Sequence, residues 1–180
     1  LIADVVPDTW AFGWSRTDTD PALLALLADP QWQPYVVFPG EYVAPERVVA
    51  TVDTAVDAAA GRPGRRPLFV LLDGTWSEAR KMFRKSPYLD PFPVLSLNPG
   101  LASNYRLRRS TRSDHFCTAE VAALCLALAG EPAAAEALTD WLDVFTTHYL
   151  NIKSGLALDR DDALHQRLRA LAGGPVPQSV

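Results

Sequence analysis

Hydrophobic side chains fall along the chain in short blocks set off by proline, glycine and charge. Leu68 to Leu72, LFVLL, is apolar throughout. A run of strand length without alternation implies burial on both faces, as in a parallel sheet. Tyr35 to Phe38, YVVF, predicts a second strand, ending at Pro39-Gly40. Pro93 to Leu97 predicts a third, ending at Asn98-Pro99-Gly100. Three strands are few for such a sheet, so another is expected in Trp10 to Trp14 or upstream.

Helices are expected between them. Asp20 before Pro21 starts a short one through LLALLA, since proline is tolerated in a first turn. Pro45 opens a second, with Val48, Val49, Val52, Val56 and Ala59 on one stripe. Gly61 to Pro67 reads as a turn-rich basic loop. Thr75 and Glu78 make a T-x-x-E capping box directly after Asp73. Thr118 and Glu120 begin an apolar helix that ends at Gly130. Pro132 starts another, with Leu138, Trp141, Leu142, Phe145 and Tyr149 as its stripe. Leu164, Leu168 and Leu171 mark the last helix, and the tail 173–180 reads as flexible. Strands alternating with helices define an α/β domain, expected over residues 1–172.

The 180 residues suffice for one domain with a sizeable core. No stretch is long and apolar enough to span a membrane, and LIADVV at the start lacks the basic residues of a secretory signal. Two cysteines, Cys117 and Cys125, make no disulfide framework, which fits a reducing cytoplasm. The net charge of −4 argues against a nucleic-acid partner, but its distribution argues the other way. Arg62 to Arg112 holds eleven basic and three acidic residues. That pattern suits a basic face on an acidic body. It also suits a solvated helix face followed by a loop.

Ligands of open α/β sheets bind beyond the carboxyl ends of the strands. Each predicted end carries a glycine, which lets backbone approach a ligand closely. Asp73 is the one acid at any of the three. It can serve as general base or as hydrogen-bond acceptor, or it can cap a helix or pair with an arginine. Trp76, in the first turn after it, can pack on the sheet or line the crevice. Arg80, Lys81, Arg84 and Lys85 follow on the same helix. The segment Ser103-Asn104-Tyr105-Arg106-Leu107-Arg108-Arg109 combines phosphate-binding arginines with a tyrosine able to stack on a base.

Other constellations carry less. Neither phosphate-binding glycine loop nor a G-x-S-x-G elbow occurs. His115 and Cys117 make no catalytic pair, Cys125 reads as core, and His148 and His165 lack metal-ligand spacing. Trp10, Trp14, Trp32 and Trp141 read as core.

DGTW at Asp73 to Trp76, then Ala79 and Lys81, then Ser103, then Tyr105-Arg106-Leu107-Arg108, then Thr118-Ala119-Glu120, resembles the DTW-domain proteins. These are tRNA-uridine aminocarboxypropyltransferases. The resemblance runs from about Trp10 to Gly130. It implies a SPOUT-like parallel sheet flanked by helices, with a C-terminal knot, an exception to the rule against knots. It implies S-adenosyl-L-methionine as group donor and tRNA as acceptor. The 3-amino-3-carboxypropyl group would pass to uridine N3, with Asp73 as the catalytic residue. Donor contacts are implied at Pro39, Leu72, Gly74, Thr75, Trp76, Leu97 and Thr118. Contacts to tRNA are implied at Arg80, Lys81, Ser103, Tyr105, Arg106 and Arg108. Family members usually also carry an N-terminal cysteine cluster and a His-Pro strand. Neither is in this sequence, and no metal is expected. Two rivals share the resemblance: a SPOUT-type RNA methyltransferase, and a non-catalytic RNA-binding module. Nothing in the sequence marks an oligomer interface.

Overall fold

The structure, a computed structural model, describes residues 1–53, 64–97, 116–157 and 162–172. Its sheet has four strands: β1 (Trp32–Val37), β2 (Val48–Val49), β3 (Arg66–Val70) and β4 (Val94–Leu95). Their order is β2-β4-β1-β3, and every pairing is parallel. Tyr35 stands opposite Phe69, and Val36 lies between Val70 and Val94. All four carboxyl ends therefore share one edge.

The described residues also form six helices: α1 (Ile2–Val5), α2 (Pro21–Ala28), α3 (Trp76–Arg84), α4 (Thr118–Leu128), α5 (Pro132–Lys153) and α6 (Ala163–Ala172). Side chains alternate across the strands, as a two-residue period requires. Val36, Phe38, Leu68, Val70, Leu72 and Val94 face Leu27 of α2 and Ala79 and Phe83 of α3. Tyr35, Val37, Phe69, Leu71 and Leu95 face Val121 and Cys125 of α4. Both faces are covered, as the unbroken apolar runs predict.

On the far side of α4, Ala119, Ala122 and Ala123 meet Leu138 and Leu142 of α5. A helix packed on two sides must be apolar around its girth, and α4 is. It ends at Gly130, whose φ of 81° suits glycine. The next N–H, of Glu131, reaches back to the Leu126 carbonyl at 2.9 Å. α5 closes the same way at Gly155, with Leu156 N–H on the Asn151 carbonyl at 2.9 Å. α6 is held on α5 by a fork: Arg167 Nε and Nη2 donate to the two oxygens of buried Asp140 at 2.9 and 2.8 Å. A bidentate, charge-assisted pair is among the stronger polar contacts.

Several expectations are corrected. Pro45 opens only a 3-10 turn, Pro45–Arg47, and Val48-Val49 then joins the sheet against β4. Arg47 explains the change. Its guanidinium donates to the Leu89 and Phe92 carbonyls, both at 3.1 Å, and leaves two β-branched residues beside an open strand edge. Val56 and Ala59 lie outside the described residues. The missing strand is β2, and Trp10 to Trp14 is irregular. β3 starts at Arg66, inside the supposed loop Gly61 to Pro67. The α5 stripe is rotated: Leu138 and Leu142 are buried with Val144, whereas Trp141, Phe145 and Tyr149 are exposed. Trp32 is core, but Trp10 is exposed and sits edge-on to it. Leu168 is buried; the side chain of Leu171 and the tail 173–180 lie outside the described residues. Among the described residues no helix is long and apolar enough to cross a membrane.

Leu138, fully buried between α4 and α5, sets a stability test. Leu138→Ala is expected to cost about 3 kcal/mol in urea unfolding. Ile152→Ala, on the exposed side of the same helix, is expected to stay within about 0.5 kcal/mol.

Candidate functional site

The carboxyl edge gathers three short segments. β1 runs into Phe38-Pro39-Gly40, β3 into Leu71-Leu72-Asp73-Gly74, and β4 into Ser96-Leu97. Gly40 is where the first and third meet. Its N–H donates to Ser96 Oγ at 3.0 Å, and a Cβ there would stand 3.0 Å from Val48 Cγ1 and 3.1 Å from Ser96 Oγ. Only glycine fits that approach without displacing its neighbours.

Asp73 leaves β3 just before α3 and is solvent-exposed. It does not cap α3, because Thr75 and Glu78 do. The Thr75 N–H and hydroxyl both donate to Glu78 Oε2, at 2.8 and 2.5 Å. Asp73 instead turns to α4, where the Thr118 hydroxyl donates to its Oδ1 at 2.6 Å. No arginine pairs with it among the described residues, and its Oδ2 has no hydrogen bond there. An exposed carboxylate held by one donor can accept a proton or a ligand N–H.

The same sheet edge carries an aromatic column. Phe38 stacks on Phe83 at 4.3 Å between centroids and on Trp76 at 5.5 Å. Tyr42 closes on Phe38 at 5.9 Å and on Trp76 at 5.4 Å. Phe38 is buried, but Trp76 is 38% and Tyr42 42% exposed. Of the two things the sequence left open for Trp76, packing on the sheet's end is observed, with part of the ring left exposed. Arg80 lays its guanidinium 4.9 Å from the Tyr42 centroid, a favourable cation–π position. Lys81 lies instead over Trp14, 5.6 Å away, and Trp14 Nε1 donates to buried Ser86 Oγ at 3.0 Å.

Of the expected site residues, the fold brings Pro39, Gly74, Thr75, Trp76 and Thr118 to the same edge as Asp73. Leu72 and Leu97 turn their side chains into opposite cores, so only their backbones reach it. Ser103, Tyr105, Arg106 and Arg108, with Asn98-Pro99-Gly100 and His115, lie outside the described residues. The sequence reading missed Tyr42, Phe83 and the Thr118 hydroxyl's bond to Asp73. The phrase FPGEY held a signal for the first: a glycine at a strand end with an aromatic two residues later. Cys125 is core as expected, and burial pushes its thiol up to about 12. Cys117 is also shifted upward, chiefly by burial. Neither is poised as a thiolate nucleophile.

The two Thr75 hydrogen bonds, the hydroxyl's first, hold the Glu78 carboxyl below its ordinary value. A depressed carboxylate stabilises the fold above its unfolded pKa and loses that contribution as pH falls through the folded one. Glu78→Gln keeps a hydrogen-bonding cap but does not titrate. The fall in urea midpoint between pH 7 and pH 3 is therefore expected to be smaller in Glu78→Gln than in the native chain.

No solved structure matches the chain. The family model for the DTW domain matches residues 1–150, a span that holds the whole sheet, the capping box of α3 and the Asp73–Thr118 pair. The chain belongs to the DTW-domain family.

Proposed function

We propose that this protein transfers the 3-amino-3-carboxypropyl group of S-adenosylmethionine to N3 of a tRNA uridine, releasing methylthioadenosine. The observation that carries the reading is the oriented acid: exposed Asp73, held at Oδ1 by Thr118, on the same sheet edge as the part-exposed rings of Trp76 and Tyr42. The fold is read as SPOUT-like with a C-terminal knot, and the protein as cytoplasmic, where tRNA is modified.

The residues at this edge suit the donor. An aromatic ring such as that of Trp76, part-exposed at this edge, attracts a sulfonium as it attracts other cations. Gly40 and Gly74 let main chain come close, at Pro39, Leu72 and Leu97 among others. When bound, the donor supplies a carbon activated by positively charged sulfur, so no nucleophilic side chain is required. Uridine N3 carries a proton that must leave as the new C–N bond forms. Asp73 Oδ2 accepts that proton, or holds the N3–H in line while it departs. Thr118 acts as a positioning residue through its bond to Oδ1. Arg80, displayed on the Tyr42 ring, meets RNA phosphate, with Lys81, Ser103, Tyr105, Arg106 and Arg108 extending the contact.

Incubation with labelled S-adenosylmethionine and total tRNA, followed by nucleoside mass analysis, tests the reaction. Aminocarboxypropyluridine and methylthioadenosine are expected. S-adenosylhomocysteine would mark a methyltransferase, and tRNA binding without turnover a binding module. Asp73→Asn is expected to abolish transfer while tRNA affinity is kept. Retained transfer removes Asp73 from the chemistry. Thr118→Val is expected to lower the transfer rate with little change in tRNA affinity. Arg80→Ala is expected to weaken binding and to flatten its salt dependence by about one unit of slope.

A further inference from the structure

Trp14, expected in the core, is only half-buried. It stands in the irregular segment before α2, and two contacts tie it to the region of α3. Its Nε1 donates to Oγ of buried Ser86 at 3.0 Å, which pins one edge of the ring. Lys81 lies over the ring face, with Nζ 5.6 Å from the centroid. Lys81 is exposed and makes no salt bridge among the described residues. The ring is therefore fixed at its edge, while its face is shielded by a flexible, solvent-facing side chain that can swing aside.

The setting is basic. Arg80, Lys81, Arg84 and Lys85 are all exposed, and the helical period places them within an arc of about 140° on α3. Ala79 and Phe83 turn the other way, into the core. Arg16, two residues past Trp14, is exposed as well. Arg80 lies on the Tyr42 side of the arc and Lys81 on the Trp14 side, so two aromatic–cation pairs flank one basic strip. Cations that track a backbone, edged by aromatic rings, are the general means of holding single-stranded nucleic acid. A ring already pinned loses little freedom when a base stacks on it. A lysine that leaves the ring face stays within reach of the same nucleotide's phosphate. Lys81 lies five residues past Trp76, the first residue of α3, which is about 7.5 Å along the axis. A base at Trp14 therefore belongs to a nucleotide flanking the one at Asp73.

We infer that Trp14 is a stacking platform for an unpaired base of the RNA substrate, and that Lys81 uncovers the ring and takes the adjoining phosphate. The inference rests on the RNA reading proposed above and deepens it, because it makes the RNA single-stranded where it passes α3. A base-paired stem keeps its bases stacked on one another and has none to offer the ring.

Titration of the full chain with a short oligouridylate, followed by NMR, tests this without any variant. The ring protons of Trp14 are expected to shift on binding, while those of Trp141, on α5 beyond the other face of the sheet, stay in place. Anisotropy titrations with the same strand over a range of salt extend the test. Trp14→Leu is expected to bind about 5- to 150-fold more weakly at every salt concentration, with an unchanged salt slope. Lys81→Ala is expected to lower that slope by about one unit. Trp14→Phe, which keeps a ring, is expected to retain most of the affinity. Unmoved Trp14 signals in the RNA-bound chain, or native-like affinity in Trp14→Leu, overturns the inference and leaves the RNA reading standing. A native chain that binds neither oligouridylate nor tRNA overturns both. The NMR arm decides the matter even if Trp14→Leu does not fold.

Discussion

A sheet buried on both faces has only its edges and strand ends left for polar chemistry. Here that constraint is met by strict alternation. Val36 and Val94 face α3, and Tyr35 and Leu95 face α4. Covering both faces while keeping all strands parallel gathers every carboxyl end on one side. Gly40 joins Asp73 and Trp76 at that edge for this reason, although it lies more than thirty residues away in sequence. Burial sets the site's location, and the residues at the ends set its character.

The parts of the fold that were legible are those governed by local rules. Capping boxes, a proline at the first helical turn and an unbroken apolar run each state their structure within a few residues. The α3 start, α4 and the strand at Leu68 followed from them. The parts that were not legible depend on distant partners. Val48-Val49 has a spacing that suits a helix and a composition that suits a strand. Arg47, bonded to carbonyls more than forty residues away, decides between them. The α5 stripe was misplaced because Trp141, Phe145 and Tyr149 share a helical period with Leu138 and Leu142, and size alone does not say which flank α4 occupies.

The site shows the same division. Asp73 was visible as an acid after a buried strand, but its orientation was not, because the orienting hydroxyl lies in another helix. The aromatic column was half visible. Trp76 announced itself, while Phe38, Tyr42 and Phe83 assemble only when β1 and α3 are packed together. His148 and His165 were unremarkable in sequence, and the packing of α6 on α5 brings their rings together. Local chemistry thus named single groups, and tertiary packing made them into sets.

The hydroxyl that steadies Asp73 belongs to the first residue of α4. That helix is seated only when the sheet lies on one flank and α5 on the other. An incompletely assembled chain therefore has its carboxylate but no defined direction for it. On the role proposed for Asp73, reactivity at this edge is tied to completion of the whole molecule, so that an immature or partly opened form carries an acid free to swing and unfit for selective work.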